Sequence, residues 1–197
     1  MKRHELVPSH FVSLQSLGYQ CENYYFGTGG RKIGITKEVL SSIGLCDDTL
    51  WAHPDIITGL DKVSNILKEE GYHLLLKDAW RPSKLYDYII NLRRERGLPV
   101  EGLISVKGKS HATGMAVDAV LVDTETQRES MMRNSVRDGL PSCFADFYRD
   151  KQDEESLAYQ SLQDILLNSF TRAGFRLGGN REYWHFELEG NDKAPRF

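Results

Sequence analysis

Two short segments of the sequence place histidine and carboxylate side chains where they could hold a metal ion. One is residues 111–118 (H-A-T-G-M-A-V-D) and the other is residues 182–185 (E-Y-W-H). Imidazole nitrogen and carboxylate oxygen are the usual non-sulfur ligands of zinc in proteins. Two histidines and one carboxylate leave a fourth position open for water, as in catalytic zinc sites. His111, Asp118 and His185 are therefore candidate ligands of one Zn2+ ion per chain.

The first of these segments leads into a predicted strand, residues 115–122 (M-A-V-D-A-V-L-V). Side chains alternate between the two faces of a strand, so Asp118 shares a face with apolar neighbours. A carboxylate in such a place is costly to bury unless a cation or a hydrogen-bond donor meets it. Gly114 lets the chain turn so that His111 can approach the same point, and the small Ala116 leaves room there.

Two further residues could supply the rest of the chemistry of amide hydrolysis. Glu182 lies three positions before His185, and a carboxylate that is not bound to metal is needed to take a proton from water and pass it to the leaving amine. Arg81 follows the predicted strand 72–80 and precedes a rigid proline. A fixed guanidinium can stabilise the negative charge that develops on the carbonyl oxygen.

Each of these residues also has a structural explanation. His111 could be a surface or capping histidine, and His185 could be a core histidine with a satisfied nitrogen. Asp118 could belong to a turn or a salt bridge, and Arg81 could pair with Asp78 and do nothing more. Spacing alone does not decide between the metal site and these alternatives.

The elements that would position these residues follow from hydrophobic periodicity. Apolar residues that recur every three to four positions predict helices at 54–71, at 84–96 with Ser83 as its cap, and at about 155–173. The last helix is expected to turn Leu157, Leu166 and Phe170 inward. Apolar runs predict strands at 72–80, 115–122, 175–177 and 183–188, whereas residues 23–35 suggest a loop or irregular hairpin and 123–153 a long irregular excursion.

Helices and strands are intermixed, but few pairs have the form of a βαβ crossover. We therefore predict an α+β fold with a small antiparallel β-sheet and helices packed on it. The chain has 197 residues, which suits one domain over 1–197.

Composition limits the partners and the compartment. The formal net charge is -3, which argues against a nucleic acid partner, and no stretch approaches the ~20 apolar residues of a membrane span. The three cysteines are far apart, as expected for isolated buried thiols in a reducing compartment. The N-terminal residues lack the apolar run of a signal peptide, so we expect a cytoplasmic protein, although a trimmed leader would leave the same sequence in a periplasmic one.

Three motifs in this order resemble one known family. His-x-x-Gly-x-Ala-x-Asp, Glu-x-Trp-His and an upstream Trp-Arg-Pro are similar to the zinc D-alanyl-D-alanine dipeptidases, which include the vancomycin-resistance dipeptidases. Their superfamily also contains zinc D,D-carboxypeptidases and the Hedgehog signalling domain. The match in order and separation covers about residues 23–187. The resemblance implies that the three candidate ligands bind zinc, that Glu182 acts as base and then acid, and that Arg81 polarises the scissile carbonyl.

The resemblance also implies substrate contacts, with two departures from the family pattern. A family serine that contacts the substrate is replaced by Lys109, which could instead grip a substrate carboxylate. A family aspartate that meets the ammonium of a free dipeptide falls on Gly139, beside Asp138, just before a loop (140–144) that resembles the one closing over the site. The predicted substrate contacts are Tyr19, Lys109, Ser110, Asp138 and Trp184.

Three functions are consistent with these motifs. The first is a zinc dipeptidase with a small, closed pocket for D-Ala-D-Ala or a similar dipeptide. The second is a zinc D,D-carboxypeptidase or peptidoglycan endopeptidase that acts on longer peptides. The third is a non-catalytic, zinc-containing binding domain, against which the presence of both Glu182 and Arg81 argues, because a structural zinc needs neither.

Overall fold

The computed structural model describes residues 6–97, 100, 109–190, 193 and 195–196. The strands of this part of the chain are β1 (Val12–Ser13), β2 (Gln20–Cys21), β3 (Trp51–Ala52), β4 (Tyr72–Asp78), β5 (Ala116–Asp123), β6 (Phe175–Leu177) and β7 (His185–Leu188). Its α-helices are α1 (Thr28–Lys32), α2 (Lys37–Ser42), α3 (Ile57–Glu69), α4 (Ser83–Glu95), α5 (Ser135–Asp138) and α6 (Glu154–Arg172).

The central sheet has five strands in the order β2-β4-β5-β7-β6, and β1 pairs separately with β3. All neighbours in the central sheet are antiparallel except β2 and β4, which are parallel. The predicted α+β class is confirmed. The prediction of a small antiparallel sheet is wrong at this one edge, because the long connection through α1, α2 and α3 lets β4 run in the same direction as β2.

One face of the sheet is apolar and packs against α3 and α6. The aromatic ring of Phe186 on β7 stacks on Phe170 of α6, with ring centroids 3.8 Å apart. Burial of each large apolar side chain contributes roughly 1.5–3 kcal/mol. This core includes Leu60, Val63, Leu67, Leu76, Val117, Leu121, Leu166, Phe170 and Phe186.

The opposite face of the sheet is polar and forms the floor of a cavity. Strand pairing sets Asp118 on β5 opposite His185 on β7, and Arg176 on β6 opposite Glu187 on β7. Val120 lies on the same side as Asp118 because side chains alternate along a strand. All five of these residues line the cavity. The alternation along β5 and β7 therefore separates the chemistry on one face from the core on the other.

The helix α4 belongs to a second apolar cluster beside the sheet. Its buried residues Leu85, Tyr86 and Ile89 pack with Tyr25 and Ala112. Because Ala112 directly follows a candidate metal ligand, this cluster fixes the backbone on that side of the cavity.

Several local predictions are wrong. Ser83 is the first residue of α4, and Pro82 occupies the N-cap position, where its ring fixes the φ angle. Residues 23–35 contain the short helix α1. Leu157 is 49% exposed, because the face of α6 that meets the core near its N-terminus carries Tyr159 and Gln163 instead. Cys46 is exposed, whereas Cys143 is buried.

Within the ranges given above, no helix combines the length and the apolar character that crossing a membrane requires.

Candidate metal centre and catalytic site

The three candidate ligands converge on one point above the polar face of the sheet. His111 Nε2 lies 3.1 Å from Asp118 Oδ1 and 3.0 Å from His185 Nδ1. His185 Nδ1 lies 2.8 Å from Asp118 Oδ1. These atoms form the His–Asp–His group of the described residues that is compact enough to hold a metal ion. The sequence separates its members by up to 74 positions, and the fold brings them together.

This triangle of donor atoms fits a zinc ion. Tetrahedral zinc with bonds of roughly 2.0–2.1 Å places its ligand atoms about 3.3 Å apart. The observed separations of 2.8 to 3.1 Å differ from that value by a few tenths of an ångström. Two imidazoles and one carboxylate are also the ligand types that zinc favours.

His111 is oriented by the backbone around it. Its Nδ1–H donates to the carbonyl oxygen of Ala79 at 2.6 Å, which leaves Nε2 as the ring nitrogen that faces Asp118. The backbone N–H of His111 donates to the hydroxyl of Tyr86 at 3.0 Å. A second partner on the far ring nitrogen is the usual way in which proteins fix the tautomer and orientation of a ligand histidine.

His185 is oriented by side chains. Its Nε2 lies 3.1 Å from Ser110 Oγ and 3.3 Å from Glu187 Oε1. Glu187 is in turn paired with Arg176 at 3.2 Å. The carboxylate and the hydroxyl therefore keep Nδ1 turned towards Asp118. Glu187 lies two positions after His185, but nothing in the sequence distinguished it from a surface residue of a strand.

The backbone of Gly178 packs directly against the ring of His185. A Cβ atom at this position would lie 1.9 Å from His185 Cδ2, which is far inside contact distance. At the neighbouring Gly179, by contrast, a Cβ atom would meet nothing within 4 Å. The turn between β6 and β7 thus fixes the imidazole from behind.

The electrostatics of the cluster favour a bound positive charge. Burial alone would raise the pKa of Asp118, but the charge of His111 and hydrogen bonds from both imidazoles hold it well below its usual range. Burial alone would lower the pKa of His185, but hydrogen bonds to Asp118 and Glu187 raise it to about 10. The half-buried aspartate is therefore an anion that needs a proton or a metal ion beside it.

Glu182 lies beside this cluster and is held by a loop. Its segment pairs with residues 143–145: Phe144 forms a bridge with Glu182, and the Ala145 N–H donates to the Arg181 carbonyl at 2.8 Å. Arg181 has a positive φ of 58° and its guanidinium pairs with Asp146. The loop that was predicted to close over the site therefore also supports the backbone of the proposed base.

The environment of Glu182 suits proton transfer near neutral pH. The residue is 9% exposed and lines the cavity together with the metal cluster. Burial and the negative charge of Asp118 raise its pKa to about 7, against the opposing charges of His185 and Arg81. A carboxyl group with this pKa can both accept and donate a proton at pH 7.

Arg81 is buried at the edge of the cluster. Its Nε donates to Asp78 Oδ2 at 3.0 Å, and its Nη2 lies 3.8 Å from Asp118 Oδ2. The guanidinium also lies over the rings of Tyr25 and Tyr86, at 5.2 Å and 4.7 Å from their centroids. The alternative in which Arg81 pairs with Asp78 is thus observed, and the same pairing fixes Arg81 on the cavity wall beside the metal cluster.

The cavity is large. It has a volume of about 1070 Å3 and extends from Glu22 and Lys77 on one side to Arg176 and Asn180 on the other. This volume is larger than expected for the small, closed pocket of a dipeptidase, since the cavity extends along the polar face of the sheet across several strands.

The predicted substrate contacts divide into two groups. Ser110 and Trp184 line the cavity. Tyr19, Lys109 and Asp138 are not among its described lining residues. The Tyr19 hydroxyl lies 2.5 Å from Asp61, and the ammonium of Lys109 pairs with Asp87 at 3.0 Å.

Asp138 is engaged elsewhere. Its carboxylate accepts hydrogen bonds from Arg137 at 2.9 Å, from Tyr148 at 2.8 Å and from Lys151 at 3.2 Å. The structure therefore does not bring this carboxylate to the metal cluster, because the loop uses it as an anchor.

Arg133 and Tyr24 line the cavity and were missed by the sequence reasoning. Arg133 belongs to the segment 123–153 that was treated as an irregular excursion. Tyr24 belongs to residues 23–35, which were predicted to form a loop or irregular hairpin and gave no signal for this particular side chain. Neither residue has a spacing pattern that could have identified it.

Fold and site together define a class: an α+β protein with a buried His–Asp–His cluster that can hold a metal ion at a large cavity. The chain is 28% identical over 143 residues to the D-alanyl-D-alanine dipeptidase of Escherichia coli (strain K12). The match covers 69% of this chain, and it spans 65% of the length of that curated relative. No protein-family model matches the sequence.

Proposed function

We propose that this chain is a zinc-dependent peptidase that hydrolyses D-alanyl-D-alanine or a similar small dipeptide. The observation that carries the proposal is the convergence of His111, Asp118 and His185 within 3.1 Å of one another, beside Glu182 and Arg81 on one cavity wall. The similarity to a D-alanyl-D-alanine dipeptidase supports the substrate class.

The residues divide the chemistry between them. A zinc ion bound by the three ligands would supply a Lewis acid and lower the pKa of water. Glu182 takes the proton of the attacking water on its carboxylate and delivers it to the leaving amine. Asp78 holds Arg81 through Nε and Nη2, so the Nη1 group can donate to the carbonyl oxygen as negative charge develops there.

A second candidate is a D,D-carboxypeptidase or endopeptidase that acts on longer peptides. It is favoured by the size of the cavity, because about 1070 Å3 exceeds the roughly 300–1,000 Å3 of typical small-molecule sites. It is also favoured by Asp138, whose carboxylate is held by Arg137 and Lys151. Hydrolysis of D-Ala-D-Ala compared with N-acetyl-D-Ala-D-Ala separates the two candidates, since only a dipeptidase requires a free amine.

The variant Glu182→Gln tests the peptidase proposal. Glutamine keeps the size of the side chain but cannot accept the proton, so we expect a loss of roughly 10²–10⁴-fold in kcat with zinc content near one per chain. Zinc is measured by metal analysis of the purified protein and turnover by release of D-alanine.

The matched control is Glu189→Gln, which removes the same charge from an exposed residue close by in the sequence. This control should keep both zinc and turnover. Wild-type kcat in Glu182→Gln would show that another group is the base, and absence of turnover in the zinc-loaded wild type would reject the peptidase proposal.

A further inference from the structure

Arg133 is a cation on the wall of the cavity that takes no part in the proposed chemistry. Arg133 is half-buried and lines the cavity together with Glu182 and Trp184. Its Nη1 contacts Cys143 Sγ at 2.6 Å, and its guanidinium carbon lies 5.3 Å from the centre of the Trp184 ring. A thiol sulfur is a weak acceptor, and an aromatic face accepts no full hydrogen bond.

Three other cations of this wall are paired with carboxylates, and Arg133 differs from them. Lys77 pairs with two glutamates, and Arg81 and Arg176 each pair with an acidic residue. Among the residues that the structure describes, no carboxylate lies within ion-pair distance of Arg133. A half-buried guanidinium without an anion is unusual, because partial burial of a charge is costly unless a counter-charge compensates it.

The position of Arg133 relative to Glu182 indicates which anion Arg133 binds. Burial and Asp118 raise the pKa of Glu182, and the charge of Arg133 is among those that oppose this rise, so the two side chains are electrostatic neighbours. Arg133 and the segment that carries Glu182 also contact the same loop residue. Arg133 contacts Cys143, and the N–H of Tyr183, the residue after Glu182, donates to the Cys143 carbonyl at 3.1 Å.

The covalent structure of a peptide sets the distance between the leaving nitrogen and the terminal carboxylate. Glu182 must lie within hydrogen-bond distance of the leaving nitrogen in order to protonate it. In the last residue of a peptide, the carboxylate carbon is two bonds from that nitrogen, or about 2.5 Å. A cation next to Glu182 is therefore placed to meet the terminal carboxylate of the leaving residue.

We infer that Arg133 binds the C-terminal carboxylate of the peptide substrate and thereby selects peptides whose scissile bond is the last one. The inference rests on the proposed peptidase function. It assigns to Arg133 the contact that was predicted for Lys109, whose ammonium is paired with Asp87. Guanidinium and carboxylate can form two parallel hydrogen bonds, which fixes the orientation of the leaving residue as well as its charge.

The test compares D-Ala-D-Ala with its C-terminal amide, using the zinc-loaded protein and the variants Arg133→Gln and Arg133→Lys. Loss of a charge-assisted hydrogen bond predicts a roughly 10- to 100-fold rise in KM for the free acid in Arg133→Gln, with a small change in kcat. The amide should be a poor substrate of the wild type and should not become worse in Arg133→Gln. Arg133→Lys should restore part of the preference for the free acid, because lysine keeps the charge.

Arg93→Gln is the matched control. Arg93 also lines the cavity, and its charge acts on Tyr24. It should leave the ratio of the two KM values unchanged. Zinc content and melting temperature of each variant show whether the fold is intact.

The outcomes separate this inference from the proposed function. An Arg133→Gln variant that keeps the wild-type preference for the free acid, or a wild type that cleaves acid and amide equally, overturns the role of Arg133 but leaves the peptidase in place. A wild type that cleaves neither substrate rejects the peptidase proposal.

Calorimetry then tests Arg133 without turnover. It measures binding of D-Ala-D-Ala and its amide to zinc-loaded Glu182→Gln, with and without Arg133→Gln. Equal binding of the acid by both proteins would overturn the inference, whereas weaker binding of the acid alone after Arg133→Gln would support it.

Discussion

At the scale of single residues, three groups of the candidate site are each held by a second partner. The ring of His111 is fixed by the Ala79 carbonyl, the ring of His185 by Glu187, and the guanidinium of Arg81 by Asp78. Such contacts order each side chain before metal or substrate binds, so that binding costs less conformational entropy.

The pKa of Glu182 leads to a prediction about pH. Burial and Asp118 raise this pKa to about 7, and a base acts only when deprotonated, so kcat/KM should rise with pH through a midpoint near pH 7 and level off above it. A bound dication would lower the pKa, which moves the midpoint of the rise to pH 7 or below. Initial rates between pH 5 and 8 measure this midpoint, and a rate that falls as pH rises through this range would contradict the role of base.

Arg81→Lys tests the geometry of the guanidinium rather than its charge. Lysine keeps a cation next to Asp78 but lacks the planar fork, so we expect a fall of roughly 10²-fold in kcat with unchanged zinc content. Arg93→Lys, on the same cavity wall, is the control and should keep its kcat. Normal turnover by Arg81→Lys would remove Arg81 from the stabilisation of the carbonyl oxygen.

At the scale of elements, the register of β5 against β7 positions the site. The pairing sets Asp118 directly opposite His185, so a shift of one residue would turn one of the two ligands into the core. The turn before β7 contributes Gly178 behind the imidazole, and the loop 143–145 supports Glu182 through its backbone. The candidate ligand His185 and the proposed base Glu182 therefore depend on two different connections that meet at the start of β7.

Gly178→Ala tests the role of this turn. Its Cβ would lie 1.9 Å from His185 Cδ2, so the imidazole must move, and we expect zinc affinity to fall roughly 10- to 100-fold. Gly179→Ala is the control, because a Cβ there meets nothing within 4 Å. Competition with a zinc-binding dye measures both affinities. Equal affinities of the two variants would show that the close packing at Gly178 does not position His185.

At the scale of the whole molecule, one face of the sheet forms the core and the other forms the candidate site. The apolar face is closed by α3 and α6, and the polar face stays open as the floor of the cavity. Because the metal cluster joins β5, β7 and the turn before β5, a bound ion would tie together segments that are distant in sequence. A single domain over 1–197 and a cytoplasmic location stay predictions.

Removal of metal should therefore destabilise the fold. A ligand at 100 times its Kd stabilises by about 2.7 kcal/mol, and 1 kcal/mol shifts the Tm of a chain of this size by about 2–4 °C. We expect Tm to fall by about 5–10 °C after treatment with a chelator and to recover with added zinc. Scanning calorimetry measures this shift. The same shift in His111→Ala would show that zinc stabilises the protein at another site.

The sequence alone determined the α+β class, the main helices and strands, and the three candidate ligands. Residue type and periodicity carry that information, since a carboxylate in an apolar strand already requires a partner. Only the tertiary structure decided that β2 joins in parallel, that Asp138 and Lys109 are engaged away from the cavity, and that Glu187 and Arg133 belong to it. These facts depend on which segments meet across the sheet and in the loops, and local spacing does not encode such long-range contacts.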